Sequence, residues 1–125
     1  MIVVEDDANL RKVIRMVLER DGYEVEEAPH GEAALSAMVG AVPNAAVVDL
    51  KMPVMGGAEL IQRMRSDART ASVPVVLLTG LGDNGEVTAD VVLAKPFEPQ
   101  RLLDCLRSLV TPAISRPPAE PSIDA

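Results

Sequence analysis

The order of apolar and polar positions along the chain predicts short strands that alternate with helices. Residues 2–4 form a continuous β-branched run, typical of a strand that is covered on both faces. The following apolar residues recur at helical spacing over 10–18, and Asp21-Gly22 is expected to end that helix. Apolar and acidic residues alternate over 23–27, which favours a strand at or near a sheet edge.

The same alternation continues through the rest of the chain. An alanine-rich segment predicts a helix over 32–39, and a run of apolar residues predicts a strand over 45–48 that ends at Asp49. Few apolar residues and three possible hinge residues occur over 81–89, so a helix there would be short or irregular. The remaining predicted elements are a helix over 58–66, a strand over 73–78 ending at Thr79-Gly80 and a strand over 91–94. A final helix is predicted by apolar residues at helical spacing over 102–110, with Glu98-Pro99 as its start signal.

Five apolar strands alternating with helices predict an α/β fold, a doubly wound parallel sheet with helices on both faces and right-handed crossovers. From Thr111 onward the chain has four prolines and no periodicity. This composition is typical of a flexible segment. We therefore expect one domain over 1–110, followed by a proline-rich tail or linker over 111–125, and the sequence leaves open whether the domain stands alone or is a piece of a longer protein.

Composition narrows the classes of function. The chain has 125 residues, 48% of them hydrophobic, which suffices for one core. Aromatic residues make up 2% and the formal net charge is −7, so stacking on bases and attraction to phosphate backbones are both disfavoured. No apolar run is long enough to span a bilayer, and we expect a cytoplasmic protein without direct nucleic-acid binding, a monomer or weak dimer. Cys105 is the only cysteine, which excludes an internal disulfide, and we expect it to be a small buried hydrophobic residue.

Polar residues follow four of the predicted strands at their carboxyl ends. Glu5 and Asp6 follow the first strand, Asp49 the third, Thr79 the fourth and Lys95 the fifth. In an open parallel sheet, ligands bind in the crevice outside these ends. Each acid alone could be a helix cap or a solvated strand end, but that interpretation does not explain why all five residues occur at one edge.

Three carboxylates in one crevice repel one another, and a positive charge must lie between them. Mg²⁺ prefers oxygen ligands and uses one or two carboxylates, and a phosphoryl group could bridge the metal, the lysine and the threonine hydroxyl. Asp49 stands in the middle of the sheet before a turn-rich segment, so we expect it to be the nucleophile that forms an aspartyl phosphate.

Four motifs in this order, "VVEDD", "VVDLKMPVMGG", "VVLLTG" and "LAKPF", resemble the receiver domain of two-component response regulators over residues 1–110. The resemblance implies a flavodoxin-like fold with sheet order 2-1-3-4-5, Mg²⁺, a phosphoryl donor that is a histidine kinase or a phosphotransfer protein, and an unidentified downstream effector. It also implies a cis Lys95-Pro96 bond. By position it assigns the phosphoacceptor to Asp49, the metal ligands to Asp6 directly, Glu5 through water, Asp49 and the Lys51 backbone carbonyl, and the phosphoryl contacts to Thr79, the Gly80 N–H and Lys95.

The chain departs from the family pattern in two places. Thr79 and Lys95 are 16 positions apart, fewer than in typical receivers, and Val92 stands where the family has an aromatic residue that follows the threonine. A phosphorylation-independent pseudo-receiver that binds proteins is therefore an alternative. A phosphohydrolase of the haloacid-dehalogenase type is a third, although such enzymes have a second aspartate where this chain has Lys51. Asp7 is expected to start the first helix, outside the metal site, and His30 is expected in a surface loop.

Overall fold

A five-stranded parallel sheet forms the centre of the computed structural model, which describes residues 1–80 and 89–114, with side chains to residue 110. The strand order is β2-β1-β3-β4-β5, and every neighbouring pair is parallel, so the predicted fold class and sheet order are confirmed. The strands are β1 (Ile2–Val4), β2 (Glu26–Ala28), β3 (Ala46–Asp49), β4 (Val75–Thr79) and β5 (Val91–Ala94).

Helices cover both faces of the sheet because successive strand residues point to opposite sides. Val3 and Val47 pack in one core with residues of the first and last helices, whereas Val4 and Val48 pack in the other core with the two helices between. Buried aliphatic side chains form both cores, and the core that contains Val4 and Val48 also includes buried methionines. The described helices are α1 (Ala8–Arg20), α2 (Gly31–Gly40), α3 (Gly57–Ser66) and α4 (Pro99–Ile114).

The strand predicted over 23–27 begins at Glu26, later in the chain than its pattern indicates. The Tyr23 N–H still bonds to the Leu18 carbonyl at the end of α1, 3.2 Å away, and the pairing with β1 begins where the Glu26 N–H donates to the Met1 carbonyl. Tyr23 and Val25 instead pack beside the core formed by α1 and α4. The predicted position of this strand at the sheet edge is confirmed.

The last helix begins at Pro99, as its start signal predicted, and it ends at Ile114, so it continues four residues into the tail predicted from Thr111. The short helix predicted over 81–89 falls almost entirely within residues 81–88, which lie outside the described residues, as do 115–125 of the predicted tail. Cys105 is half-buried beside the α1/α4 core and is less enclosed than expected. Among the described residues, no helix is long and apolar enough to cross a membrane.

Candidate functional site

Three acidic side chains meet at the carboxyl end of the sheet. Strands β1 and β3 are neighbours with Val4 opposite Val48, so the residues that follow, Glu5 and Asp49, lie side by side. Each of Glu5, Asp6 and Asp49 offers a carboxylate oxygen, and these oxygens lie within 4.8 Å of one another. Glu5 and Asp49 are buried, at 1% and 5% exposure, whereas Asp6 is exposed, so solvent reaches the cluster at Asp6.

Lys95 connects two of these acids. Its Nζ lies 3.1 Å from Glu5 Oε1 and 2.9 Å from Asp49 Oδ1. Strand pairing brings it there, because Thr79 is opposite Ala94 and the Lys95 N–H donates to the Thr79 carbonyl at 2.7 Å. The Lys95-Pro96 peptide bond is cis, as the resemblance implied. Thr79 is buried at the end of β4, with Gly80 directly after it, so the predicted hydroxyl and backbone N–H lie at the same sheet edge as the acids.

The electrostatics of the cluster show an excess of negative charge. Burial raises the pKa of Glu5 to about 7, and the Asp49 charge adds to the rise, although hydrogen bonds from the Asp7 N–H and Lys95 oppose it. Burial also lowers the pKa of Lys95, but its bonds to Asp49 and Glu5 outweigh that effect and leave the pKa above its usual value. One ammonium therefore does not fully compensate the acids. A hard divalent cation with oxygen ligands fits the donor set that the chain presents.

Asp7 has a separate role, as predicted. It is the N-cap of α1, in an extended conformation, and its Oδ1 accepts hydrogen bonds from the N–H groups of Asn9 at 2.9 Å and Leu10 at 3.2 Å. These bonds satisfy donors that have no partner within the helix. The run of three acids is thus divided into two members of the cluster and one helix cap.

The loop between β3 and α3 places Asp49 close to the start of α3. The Gly57 N–H donates to the Leu50 carbonyl at 2.9 Å, and a Cβ atom at Gly57 would collide with the Asp49 carbonyl oxygen. Only glycine permits this approach. Val54 in the same loop has φ of 68°, a left-handed conformation that is rare for a β-branched residue. Lys51, whose carbonyl is a predicted metal ligand, is exposed in this loop two residues after Asp49.

Sequence reasoning did not identify two residues that shape this site. The sequence pattern places Gly57 only in a turn, because its need for a missing Cβ follows from contacts that no local pattern shows. The pattern gives no role to Arg11, yet its Nη1 donates to the backbone carbonyl of Glu5 at 2.8 Å. His30 lies in the predicted loop as the half-buried N-cap of α2, and its Nδ1 accepts from the Ala33 N–H. The structure therefore gives His30 a structural role.

An apolar cleft of about 470 Å³ opens next to Lys95. It lies between α1 and the segment that joins β5 to α4, and Val13 on its rim is 52% exposed. The cleft and the acidic cluster share Lys95, so a protein surface seated in the cleft would lie beside Asp49. The cleft is lined by Leu10, Val13, Ile14, Val17, Gly80, Lys95, Pro96, Phe97, Pro99 and Leu102.

Comparison with known proteins gives transcriptional regulators and a chemotaxis protein as relatives. The phosphate regulon transcriptional regulatory protein PhoB of Pseudomonas aeruginosa is 32% identical over 116 residues, which cover 88% of this chain and 51% of PhoB. Chemotaxis protein CheY1 of Helicobacter pylori is 34% identical over 114 residues, which cover 85% of this chain and 92% of CheY1. The chain spans about half the length of the transcriptional regulators it matches and nearly all of the chemotaxis protein.

Similar solved structures are also a receiver domain and a chemotaxis protein. The signal receiver domain of a signal transduction histidine kinase from Syntrophus aciditrophicus superposes with a TM-score of 0.85 at 26% identity, over 90% of both chains. Chemotaxis protein CheY4 of Vibrio cholerae superposes with a TM-score of 0.79 at 30% identity, over 86% of this chain and 95% of CheY4. The family model described as "Response regulator receiver domain" matches residues 1–107. The chain therefore belongs to the receiver domain family of two-component response regulators.

Proposed function

We propose that this chain is a phosphorylation switch that accepts a phosphoryl group on Asp49 and changes its binding to a downstream effector protein. The donor is the phosphohistidine of a histidine kinase or of a phosphotransfer protein. The observation that carries the proposal is the meeting of three carboxylates with Lys95 at one end of the sheet.

The chain's own groups have distinct tasks in this transfer. A carboxylate oxygen of Asp49 attacks phosphorus, the bond between phosphorus and the imidazole nitrogen breaks, and its electron pair stays on that nitrogen. Lys95 offsets charge on the phosphoryl oxygens, and the Thr79 hydroxyl and Gly80 N–H donate hydrogen bonds to them. Glu5 through water, with Asp6, Asp49 and the Lys51 carbonyl directly, would hold Mg²⁺, which supplies the remaining positive charge when it is bound.

The apolar cleft supports a protein as the phosphoryl donor. Its wall on α1 exposes Val13, and Lys95 lies on both the cleft and the acidic cluster. A donor helix that covers the cleft would bring its phosphohistidine to Asp49 while it buries apolar surface. A monomeric or weakly dimeric state and a cytoplasmic location stay predictions from the sequence.

The test is phosphorylation by a small donor. Incubation with acetyl phosphate and Mg²⁺ should add one phosphoryl group, seen as a mass shift of the intact protein. Asp49→Asn should not gain it, whereas Asp104→Asn, which changes a 60% exposed carboxylate on α4, should gain it as the wild type does. An unmodified wild-type protein would overturn the proposal.

A second measurement tests the switch itself. An effector captured by the wild type in the presence of a beryllofluoride phosphoryl mimic should bind Asp49→Asn much more weakly under the same conditions. Equal affinity for the two proteins would show a binding module that does not depend on phosphorylation.

A further inference from the structure

Arg11 joins the acidic cluster to the edge of the sheet. It lies near the start of α1, and its side chain is 18% exposed. The guanidinium group donates from Nη1 to the Glu5 backbone carbonyl at 2.8 Å and from Nε to Glu27 Oε1 on β2 at 2.9 Å. One planar group therefore connects the β1–α1 junction to the edge strand.

The carbonyl that Arg11 contacts belongs to the peptide group between Glu5 and Asp6. A peptide group is planar, so a bond that fixes its carbonyl also fixes the direction in which the two neighbouring Cα atoms lie. The Glu5 N–H is held separately by the Ala28 carbonyl at 3.1 Å, and the Glu5 carboxylate by Lys95. Asp6 is exposed, so its position in the cluster depends chiefly on this backbone.

We propose that Arg11 is a positioning residue for metal binding, one that holds the Glu5–Asp6 peptide group so that both carboxylates and Asp49 can bind a single Mg²⁺. The inference rests on the proposed function, because that function requires the metal. It assigns to Arg11 no contact with the ion.

The geometry of arginine suits this task. Its guanidinium presents several N–H donors in a rigid plane, so one acceptor at the β1–α1 junction and one on β2 are bound in a fixed relation to each other. Coulomb's law alone gives the opposite expectation, since a positive charge close to three acids weakens the binding of a cation. Removing the charge should thus tighten Mg²⁺ binding if Arg11 acts only through its charge, and should weaken it if Arg11 holds the backbone.

Arg15 provides a matched control. It lies one turn later on α1 and donates to the other oxygen of Glu27 at 2.7 Å, but its bonds go to Glu27 and Glu19 and none reaches the cluster. Arg11→Met and Arg15→Met each remove one positive charge and one ion pair to Glu27. Only Arg11→Met removes the bond to the Glu5 carbonyl.

The experiment measures the dissociation constant of Mg²⁺ from amide NMR signals of the ¹⁵N-labelled chain of 125 residues. We expect Arg11→Met to raise that constant about tenfold, in the range found for other residues that orient metal ligands. Arg15→Met should leave it unchanged or slightly lower. Urea unfolding of both variants should show similar losses of stability, which separates the effect on the metal from an effect on the fold.

Each outcome decides the inference. If the wild type binds Mg²⁺ and Arg11→Met binds it equally or more tightly, Arg11 does not position the site and the proposed function stands. A wild-type protein without any Mg²⁺ response would overturn the proposed function and this inference with it. Should Arg11→Met not fold, Arg11→Lys gives the answer: its single ammonium cannot occupy both donor positions, so a severalfold weaker affinity is expected, and wild-type affinity would overturn the inference.

Discussion

Replacing Glu5 by glutamine should stabilise the metal-free protein at alkaline pH. The Glu5 carboxyl is buried, with a pKa of about 7 in the folded protein against 4.5 in the unfolded chain. Between these two pH values the folded state keeps a proton that the unfolded state has released. By linkage, the contribution of this group to the free energy of unfolding is full below pH 4.5, falls as the pH rises and is lost above about pH 7.

The expected magnitude follows from the size of the change in pKa. About 2.5 pH units at about 1.36 kcal/mol each give roughly 3 kcal/mol lost between pH 4.5 and 8. Glutamine keeps the shape and does not ionise, but its amide group cannot accept the 3.2 Å hydrogen bond from the Asp7 N–H if Oε1 faces Lys95, at a cost of about 1 kcal/mol. Glu5→Gln should therefore be more stable than the wild type by about 2 kcal/mol at pH 8 and less stable by about 1 kcal/mol at pH 4, where both states of the wild type keep the proton.

Urea unfolding followed by far-ultraviolet circular dichroism, with a chelator present, measures this difference at both pH values. Glu59→Gln is the control, because Glu59 is an exposed glutamate in a surface ion pair with Arg63. Its stability difference from the wild type should stay within about 0.5 kcal/mol at either pH. A Glu5→Gln protein that is no more stable than the wild type at pH 8 would refute the assignment of an uncompensated buried charge to Glu5.

Four other substitutions test neighbouring features. Asp6→Ala should abolish Mg²⁺-dependent labelling by acetyl phosphate, whereas Asp7→Ala should keep the labelling and lose about 1 kcal/mol of stability with its helix cap, and equal labelling of the two would contradict their separation. Val54→Gly should raise the free energy of unfolding by about 1 kcal/mol, because it relieves a left-handed conformation at φ of 68°, and a lower melting temperature would contradict that reason. Val13→Glu should slow phosphoryl transfer from a phosphohistidine protein but not from acetyl phosphate, and equal slowing with both donors would exclude the cleft as the docking surface.

The sequence predicts the convergence of the site because the fold has a simple rule for it. Parallel strands end at the same edge, so residues that directly follow apolar runs, such as Asp49 and Lys95, are expected together before any contact is known. The structure confirms that Glu5, Asp6, Asp49 and Lys95 meet there. The chemical roles of these residues stay predictions, since proximity alone does not test phosphoryl transfer.

Other features depend on contacts between distant segments, and local patterns do not encode these. The hydrogen bond from Arg11 to the Glu5 carbonyl depends on the direction in which one side chain near the start of α1 points, and the sequence pattern does not show that direction. Valine is β-branched and favours strands, and nothing in the turn "KMPVMGG" indicates that Val54 takes a left-handed conformation. The alternating pattern over 23–27 does not indicate where β2 starts, because it does not show that the Tyr23 N–H is still bonded to the preceding helix.

The unfavourable features of the chain are concentrated around Asp49. Glu5 is buried with its pKa raised, Val54 is held at a positive φ, and Gly57 gives up a side chain so that α3 can approach the Asp49 carbonyl. Each conflicts with local preference, and natural proteins accept such conflicts mainly where function requires them. The two aliphatic cores on either face of the sheet supply the stability that offsets these costs. Stabilising substitutions should therefore be easiest to find beside Asp49, and Glu5→Gln should show the consequence: a more stable protein at pH 8 that binds Mg²⁺ more weakly.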